Sequence, residues 1–227
     1  MRGYAICTEP RSGSVFLCRL LTSTGLLGRP TEYFNVDAVQ TALGITGYPH
    51  DPEAQLAAIP ALGATHNGVY GLKLFSSQFD DVRATRWAER LPQLSFIHLQ
   101  RADLLGQAIS LVRASQTQQW TSFRPALGEA AYDRALINDT LIGLARAQTR
   151  WAYYFARNGL PVLTLVSEEV VRDPQATAEA VGRLVGLPEA PRVDMAGIGD
   201  LGIQRDALSE TWRARFIAES RDLGAFH

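Results

Sequence analysis

The stretch Tyr4-Ala5-Ile6-Cys7-Thr8-Glu9-Pro10-Arg11-Ser12-Gly13-Ser14-Val15-Phe16-Leu17-Cys18-Arg19-Leu20-Leu21-Thr22-Ser23 decides the fold. Its first five residues are a short apolar run halted by Glu9-Pro10, which predicts a buried strand. From Val15 to Ser23 the apolar residues Phe16, Leu17, Leu20 and Leu21 recur at helical spacing, and Thr24-Gly25 ends the pattern. A strand, a Gly/Ser turn and a helix in direct succession open a parallel-sheet α/β fold.

The same alternation continues outward. Val69-Tyr70-Gly71-Leu72-Lys73-Leu74, Leu94 to Leu99 and Val162-Leu163-Thr164-Leu165 read as further strands. Between them the spacing predicts helices over Phe79 to Arg90, Ala102 to Gln118, Glu129 to Asn158, Glu168 to Arg172 and Pro174 to Val185. A last helix is expected over Ser209 to Leu223 with Ser209 as its N-cap. Prolines 49, 52 and 60 and several glycines predict loops and short helices from Pro30 to Gly68. The expected architecture is α/β, a P-loop-like, doubly wound, mainly parallel sheet flanked by helices, in one domain over residues 1–227.

Composition narrows the function classes. At 227 residues, 46% hydrophobic and 20% charged, the chain can bury a sizeable core without disulfides or metals. Cys7 and Cys18 are the only cysteines, and both sit in apolar surroundings, as buried free thiols do. A net charge of −1 argues against nonspecific binding to nucleic acid or an anionic membrane, both of which need a basic field. No apolar run is long enough to span a bilayer, and Met1-Arg2-Gly3 does not begin a signal peptide, so the expected location is cytoplasmic. No Cys, His and carboxylate cluster suggests a metal.

Two stretches carry anion-binding chemistry. Arg11-Ser12-Gly13-Ser14 lies at the start of a helix, where backbone N–H groups lack partners and the dipole favours negative charge. Gly13 permits close approach, Ser12 and Ser14 add hydroxyls, and Arg11 adds a cation that can fork two oxygens. Taken alone, the four residues fit equally a tight βα turn with a serine cap and a solvated arginine. The lysine of a Walker A loop is missing from Thr8 to Leu27, which counts against triphosphate hydrolysis, and the GxGxxG fingerprint is absent. The second stretch is Phe96 to Asp103, continuing through Ser110 to Ala114. Arg101, just past a strand's carboxyl end, points into the crevice where doubly wound sheets bind ligands. Ser110 stands nine residues on along the following helix, so the two can reach one phosphate from two sides.

With these residues the chain resembles the sulfotransferases that use 3′-phosphoadenosine 5′-phosphosulfate (PAPS), in particular the bacterial branch containing trehalose 2-sulfotransferase. Pro10 to Ser14 is similar to that family's 5′-phosphosulfate loop. Arg101 to Ser110, continuing to Trp120, resembles its 3′-phosphate motif, and Arg29-Pro30-Thr31-Glu32-Tyr33-Phe34-Asn35 its acidic segment after the first helix. Further similarity covers Gly71 to Leu74, Ser167 to Pro174 and Gln204 through Trp212, in the right order along most of the chain. Two departures stand out: many relatives carry lysine where Arg11 stands, and many have an Arg-to-Ser spacing of eight rather than nine. The segment from Asn35 to Gly68 shows no resemblance, and acceptor specificity is expected there.

The resemblance implies PAPS as co-substrate, no metal, and a hydroxyl of a sugar, glycolipid or glycosylated metabolite as acceptor. Arg11, Ser12, Gly13 and Ser14 would hold the 5′ end, and Arg101 with Ser110 the 3′-phosphate. Arg11 would also stabilise charge on the leaving group, and Glu32 would be the general base. By itself Glu32 reads as a surface carboxylate after a proline turn or an N-cap helper. A homodimer is left open, since relatives in that branch form dimers. The alternatives are a kinase-like phosphotransferase and a non-catalytic nucleotide-binding protein on the same fold. His98 reads as a core histidine, His50 and His66 as exposed, Trp120 as a packing residue and Arg205 as solvated, while Lys73 faces a ligand or pairs with a carboxylate.

Overall fold

The computed structural model describes residues 1–120, 125–198 and 206–223. Strand β1 (Arg2–Thr8) is buried from Gly3 onward, and α1 (Ser14–Ser23) follows after a five-residue turn. α2 (Val36–Leu43), capped by Asn35, and α3 (Pro52–Gly63), capped by Asp51 with proline in its first turn, occupy the proline-rich stretch. β2 (Val69–Phe75) runs straight into α4 (Ser76–Val82), and α5 (Trp87–Arg90) leads to β3 (Leu94–Gln100). Then come α6 (Leu104–Thr117), α7 (Arg134–Arg157), β4 (Val162–Val166), α8 (Ser167–Arg172), α9 (Pro174–Leu184), α10 (Met195–Ile198) and α11 (Ala207–Ser220).

Three elements differ from the sequence expectation. The helix expected over Phe79 to Arg90 is broken, because Arg86 is left-handed at φ 52° after a 3₁₀ turn over Arg83–Thr85. The break turns Trp87 inward, with its ring edge-on to Phe79 at 5.8 Å and Phe96 at 6.3 Å. α7 begins at Arg134 rather than Glu129. The cap of α11 is Asp206, which accepts from the Ser209 N–H at 2.9 Å, so Ser209 is the third helical residue and not the cap.

The chain divides into two compact units, Met1–Ala102 with Ala147–Gly199 and Asp103–Arg146 with Asp200–His227. The first holds the sheet, all parallel, in the order β2-β1-β3-β4. β1 leads to β2 on one side, and the chain then crosses over to β3 on the other. The order therefore reverses between β1 and β3, and the crevice beyond their carboxyl ends is where doubly wound sheets bind ligands. Alternation along β1 sends Ala5 and Cys7 into a core with Leu72, Leu74, Phe96, Trp87, Trp151 and Phe155. Ile6 points the other way, and its register partner on β2 is Lys73. Both cysteines are free and buried.

In the second unit, Ile109, Val112, Ile137, Trp212 and Phe216 form a small core. Arg213 pairs with Asp103 at 2.5 Å, and Arg113 with Asp206 at 2.6 Å. Among the described residues no helix is long and apolar enough to cross a membrane.

Candidate active site

The turn after β1 is built from backbone. Arg11 adopts φ 63° and Gly13 φ 81°, two left-handed residues within three positions. Gly13 caps α1 and has no side chain, so the first-turn N–H groups are not consumed by a capping oxygen. A Cβ at Gly13 would stand 3.2 Å from the Ser167 Cβ at the start of α8, on top of the strain of the left-handed backbone. Arg11 bears that strain with a side chain, which requires the surroundings to hold it.

They do so through two braces. Thr8 Oγ1 lies 2.7 Å from Ser12 Oγ and 2.7 Å from the Leu99 carbonyl. A hydroxyl carries one proton and a carbonyl only accepts, so Thr8 gives its proton to Leu99 and takes one from Ser12. Ser12 is thus 1% exposed, and its hydroxyl ties the turn to β1 and β3 while its N–H stays in the turn. The second brace is Arg101, whose Nη1 donates to the Arg11 carbonyl at 3.1 Å. The cation beyond β3 and the turn beyond β1 therefore meet on one side of the sheet, at the topological reversal. Ser14, 4% exposed, opens α1, whereas Ser110 is carried on α6 in the second unit.

Glu32 follows a segment pinned to β2, since the Lys73 N–H donates to the Thr31 carbonyl at 2.8 Å. Its Oε1 pairs with Lys73 Nζ at 2.7 Å, and the two side chains are only 16% and 6% exposed. Its Oε2 takes the Gln78 Nε2 at 3.1 Å and the Asn35 Nδ2 at 3.3 Å. Lys73 has the carboxylate partner that was one of its two sequence readings. The Cys18 thiol of α1 lies in the field of this pair: burial pushes it up to about 11, with Lys73 pulling down and Glu32 pushing up.

Two residues that sequence reasoning passed over complete the surroundings. Gln78 sits in the first turn of α4, and Glu9, read only as the end of a strand, is a buried carboxylate. Glu9 Oε1 accepts from the Ser76 N–H at 3.3 Å and the Trp151 indole N–H at 3.0 Å. Burial pushes its carboxyl above the ordinary value, against the pull of Ser76, Trp151 and Arg150. The only advance signal was a charged residue directly after an apolar strand. His98 is 3% exposed, and burial lowers it to about 4. His50 and His66 are exposed, Trp120 is 44% exposed, and Arg205 lies outside the described residues. Among the described residues no group of three or more His, Cys, Asp or Glu could hold a metal.

The first unit thus sets a cation beside a glycine-capped helix start and, separately, holds a fixed carboxylate at Glu32. Comparison with known proteins gives the chemistry a family. The model of the Stf0 sulphotransferases matches residues 3–219. Trehalose 2-sulfotransferase of Mycobacterium tuberculosis is 26% identical over 270 residues, covering 99% of this chain and 97% of that protein. The trehalose 2-sulfotransferase of Mycolicibacterium smegmatis is 25% identical over 261 residues, covering 96% and 95%. Among solved structures, the sulfotransferase domain of a Synechococcus olefin synthase aligns with a TM-score of 0.49 at 18% identity, over 99% of this chain and 89% of that one. With a match over nearly its full length, the chain belongs to the Stf0 sulphotransferase family and is a sulfotransferase.

Proposed function

We propose that the enzyme moves a sulfuryl group from PAPS to a hydroxyl of a sugar or glycosylated molecule, with Glu32 as general base. The observation that carries this reading is the contact between Arg101 and the Arg11 carbonyl, which joins two cationic residues at the ends of β1 and β3. A nucleotide with anionic groups at both ends of its ribose suits such a crevice, and the glycine cap leaves first-turn N–H groups for a phosphate or sulfate. When bound, PAPS supplies a sulfuryl group attached to a phosphate leaving group. The N–H groups of the turn and the Arg11 guanidinium would hold the charge left on that phosphate. Arg101, beside the turn after β1, would hold the 3′-phosphate. Glu32 would take the proton from the attacking hydroxyl, and orientation of that hydroxyl in line with the breaking bond supplies the rest. The two mycobacterial relatives are trehalose 2-sulfotransferases, which supports a sugar acceptor and makes trehalose the first one to try.

Labelled PAPS offered with trehalose and a panel of sugars and glycolipids tests the reaction. Glu32→Gln should keep affinity for adenosine 3′,5′-bisphosphate and lose turnover by about 100-fold or more. Arg101→Ala should cost about 2–5 kcal/mol in binding that bisphosphate and little for a ligand without the 3′-phosphate. Equal losses for both ligands, or tighter binding of ADP than of the bisphosphate, would sink the reading.

A further inference from the structure

Glu32 is held from three directions, and the least expected comes from α4. The Gln78 amide is oriented without ambiguity. Its oxygen accepts the Phe75 N–H at 3.0 Å, and a backbone N–H can only donate, so the Nε2 end must face the other way. There it meets Glu32 Oε2 at 3.1 Å. Asn35 is fixed by the same logic: its oxygen accepts the Ala38 N–H at 3.1 Å, leaving Nδ2 for Glu32 at 3.3 Å. Two helix starts thus lend an amide donor to one carboxylate oxygen, while Lys73 takes the other. Asn35 is local to Glu32, but Gln78 comes from the far end of β2. Its turn is also tied to the anion-binding turn, because Ser76, which opens α4, donates its N–H to Glu9, two residues before Arg11.

We propose that Gln78 is a positioning residue for the reaction: its amide N–H fixes the orientation of Glu32, and Ser76 and Glu9 fix the amide relative to the turn after β1. The proposal rests on the reading of Glu32 as the base. A carboxylate offers about four lone-pair directions. Lys73, Gln78 and Asn35 use three of them, which leaves one direction for the acceptor hydroxyl. Without Gln78 the carboxylate gains rotational freedom and presents its open direction less often. Among the described residues, the titratable and charged groups facing Glu32 are Lys73 on β2 and Cys18 on α1. Asp80 on α4 is engaged by Arg150 at 2.6 Å.

Gln78→Glu keeps the cap of α4 and changes only the end that faces Glu32. The new carboxylate still accepts the Phe75 N–H, so a changed profile does not come from a lost helix cap. In place of the donor to Glu32 it leaves two carboxylates in contact. The expected result is an acidic limb of the kcat–pH profile moved up by about one pH unit or more. Activity lost at neutral pH should return at higher pH, with KM for PAPS little changed. Gln78→Leu, which removes both ends of the fork, should lower kcat by up to about 100-fold at constant affinity for adenosine 3′,5′-bisphosphate. It decides the matter should Gln78→Glu fail to fold. An unmoved acidic limb in Gln78→Glu, or wild-type kcat in Gln78→Leu, overturns the proposal. Glu32→Gln is run alongside: if that variant turns over normally, the base assignment itself has failed, whatever Gln78 does.

Discussion

The turn after β1 and the surroundings of Glu32 serve one reaction in the proposed reading but are made from different materials. The turn is backbone: two left-handed residues, one of them the glycine cap, and helix N–H groups, all within Thr8 to Phe16. The Glu32 frame is side chain: an ammonium from β2, an amide from α4 and an amide from the start of α2. Backbone donors are indifferent to which side chain sits above them, whereas an ion pair out of water depends on both partners. Substitutions should therefore be graded in the turn and abrupt in the frame.

The largest expected effect is in the frame. Lys73→Met strands a mostly buried carboxylate, and stability in urea should fall by about 3 kcal/mol or more. Adding Glu32→Gln should recover most of that stability without recovering turnover. An unchanged unfolding midpoint in the single variant would mean that the pair is screened by water, and the contrast would collapse.

His98 supplies a reference outside both regions. Its folded value of about 4 lies below the ordinary 6.5, so between those values the unfolded chain binds more protons than the folded one. Stability is then full above the ordinary value and declines by about 3 kcal/mol as pH falls toward 4. Unfolding curves across that window should show the decline, and His98→Gln should flatten it. Were Lys73→Met to flatten it instead, the acid-sensitive part of the fold would be the frame.

Smaller effects belong to the turn. Gly13→Ala meets a left-handed backbone cost of about 1–2 kcal/mol and the 3.2 Å approach to Ser167. Affinity for adenosine 3′,5′-bisphosphate, read by calorimetry, should fall about ten-fold. Ser12→Ala removes one brace, worth about 1 kcal/mol of stability. It should lower nucleotide affinity less than Gly13→Ala does, because the N–H it leaves behind is unaltered. The opposite ranking would show that the Ser12 hydroxyl itself binds the ligand.

The same contrast explains what could be read from the sequence. Strands β1 to β4 and the turn are local patterns, and apolar runs bounded by Gly, Pro and Ser reveal them within a few residues. For Lys73 a carboxylate partner was legible only as one of two options, and that it is Glu32 depends on how β2 and the segment before α2 lie in space. Gln78 gave no signal and Glu9 only the weak one of a charge directly after a strand: both are ordinary until the fold brings them to Glu32 and Trp151. The break at Arg86 was hidden for a related reason. Nothing in Arg83 to Arg90 excludes a continuous helix, and the demand for a kink comes from burying Trp87 against Phe96 on β3. Asp206 was missed as a cap in favour of Ser209, although both are residue types that cap helices and only the hydrogen bond decides between them.

The strand order has a consequence for how the chain is made. β1 is synthesised before both of its neighbours, β2 and β3, so it must wait unpaired until residues 69–75 and then 94–100 have been made. For that interval an apolar strand with two open edges is exposed, a hazard for association with other nascent chains. The turn carrying Arg11 cannot take shape in that time either, since both of its braces reach across to Leu99 and Arg101.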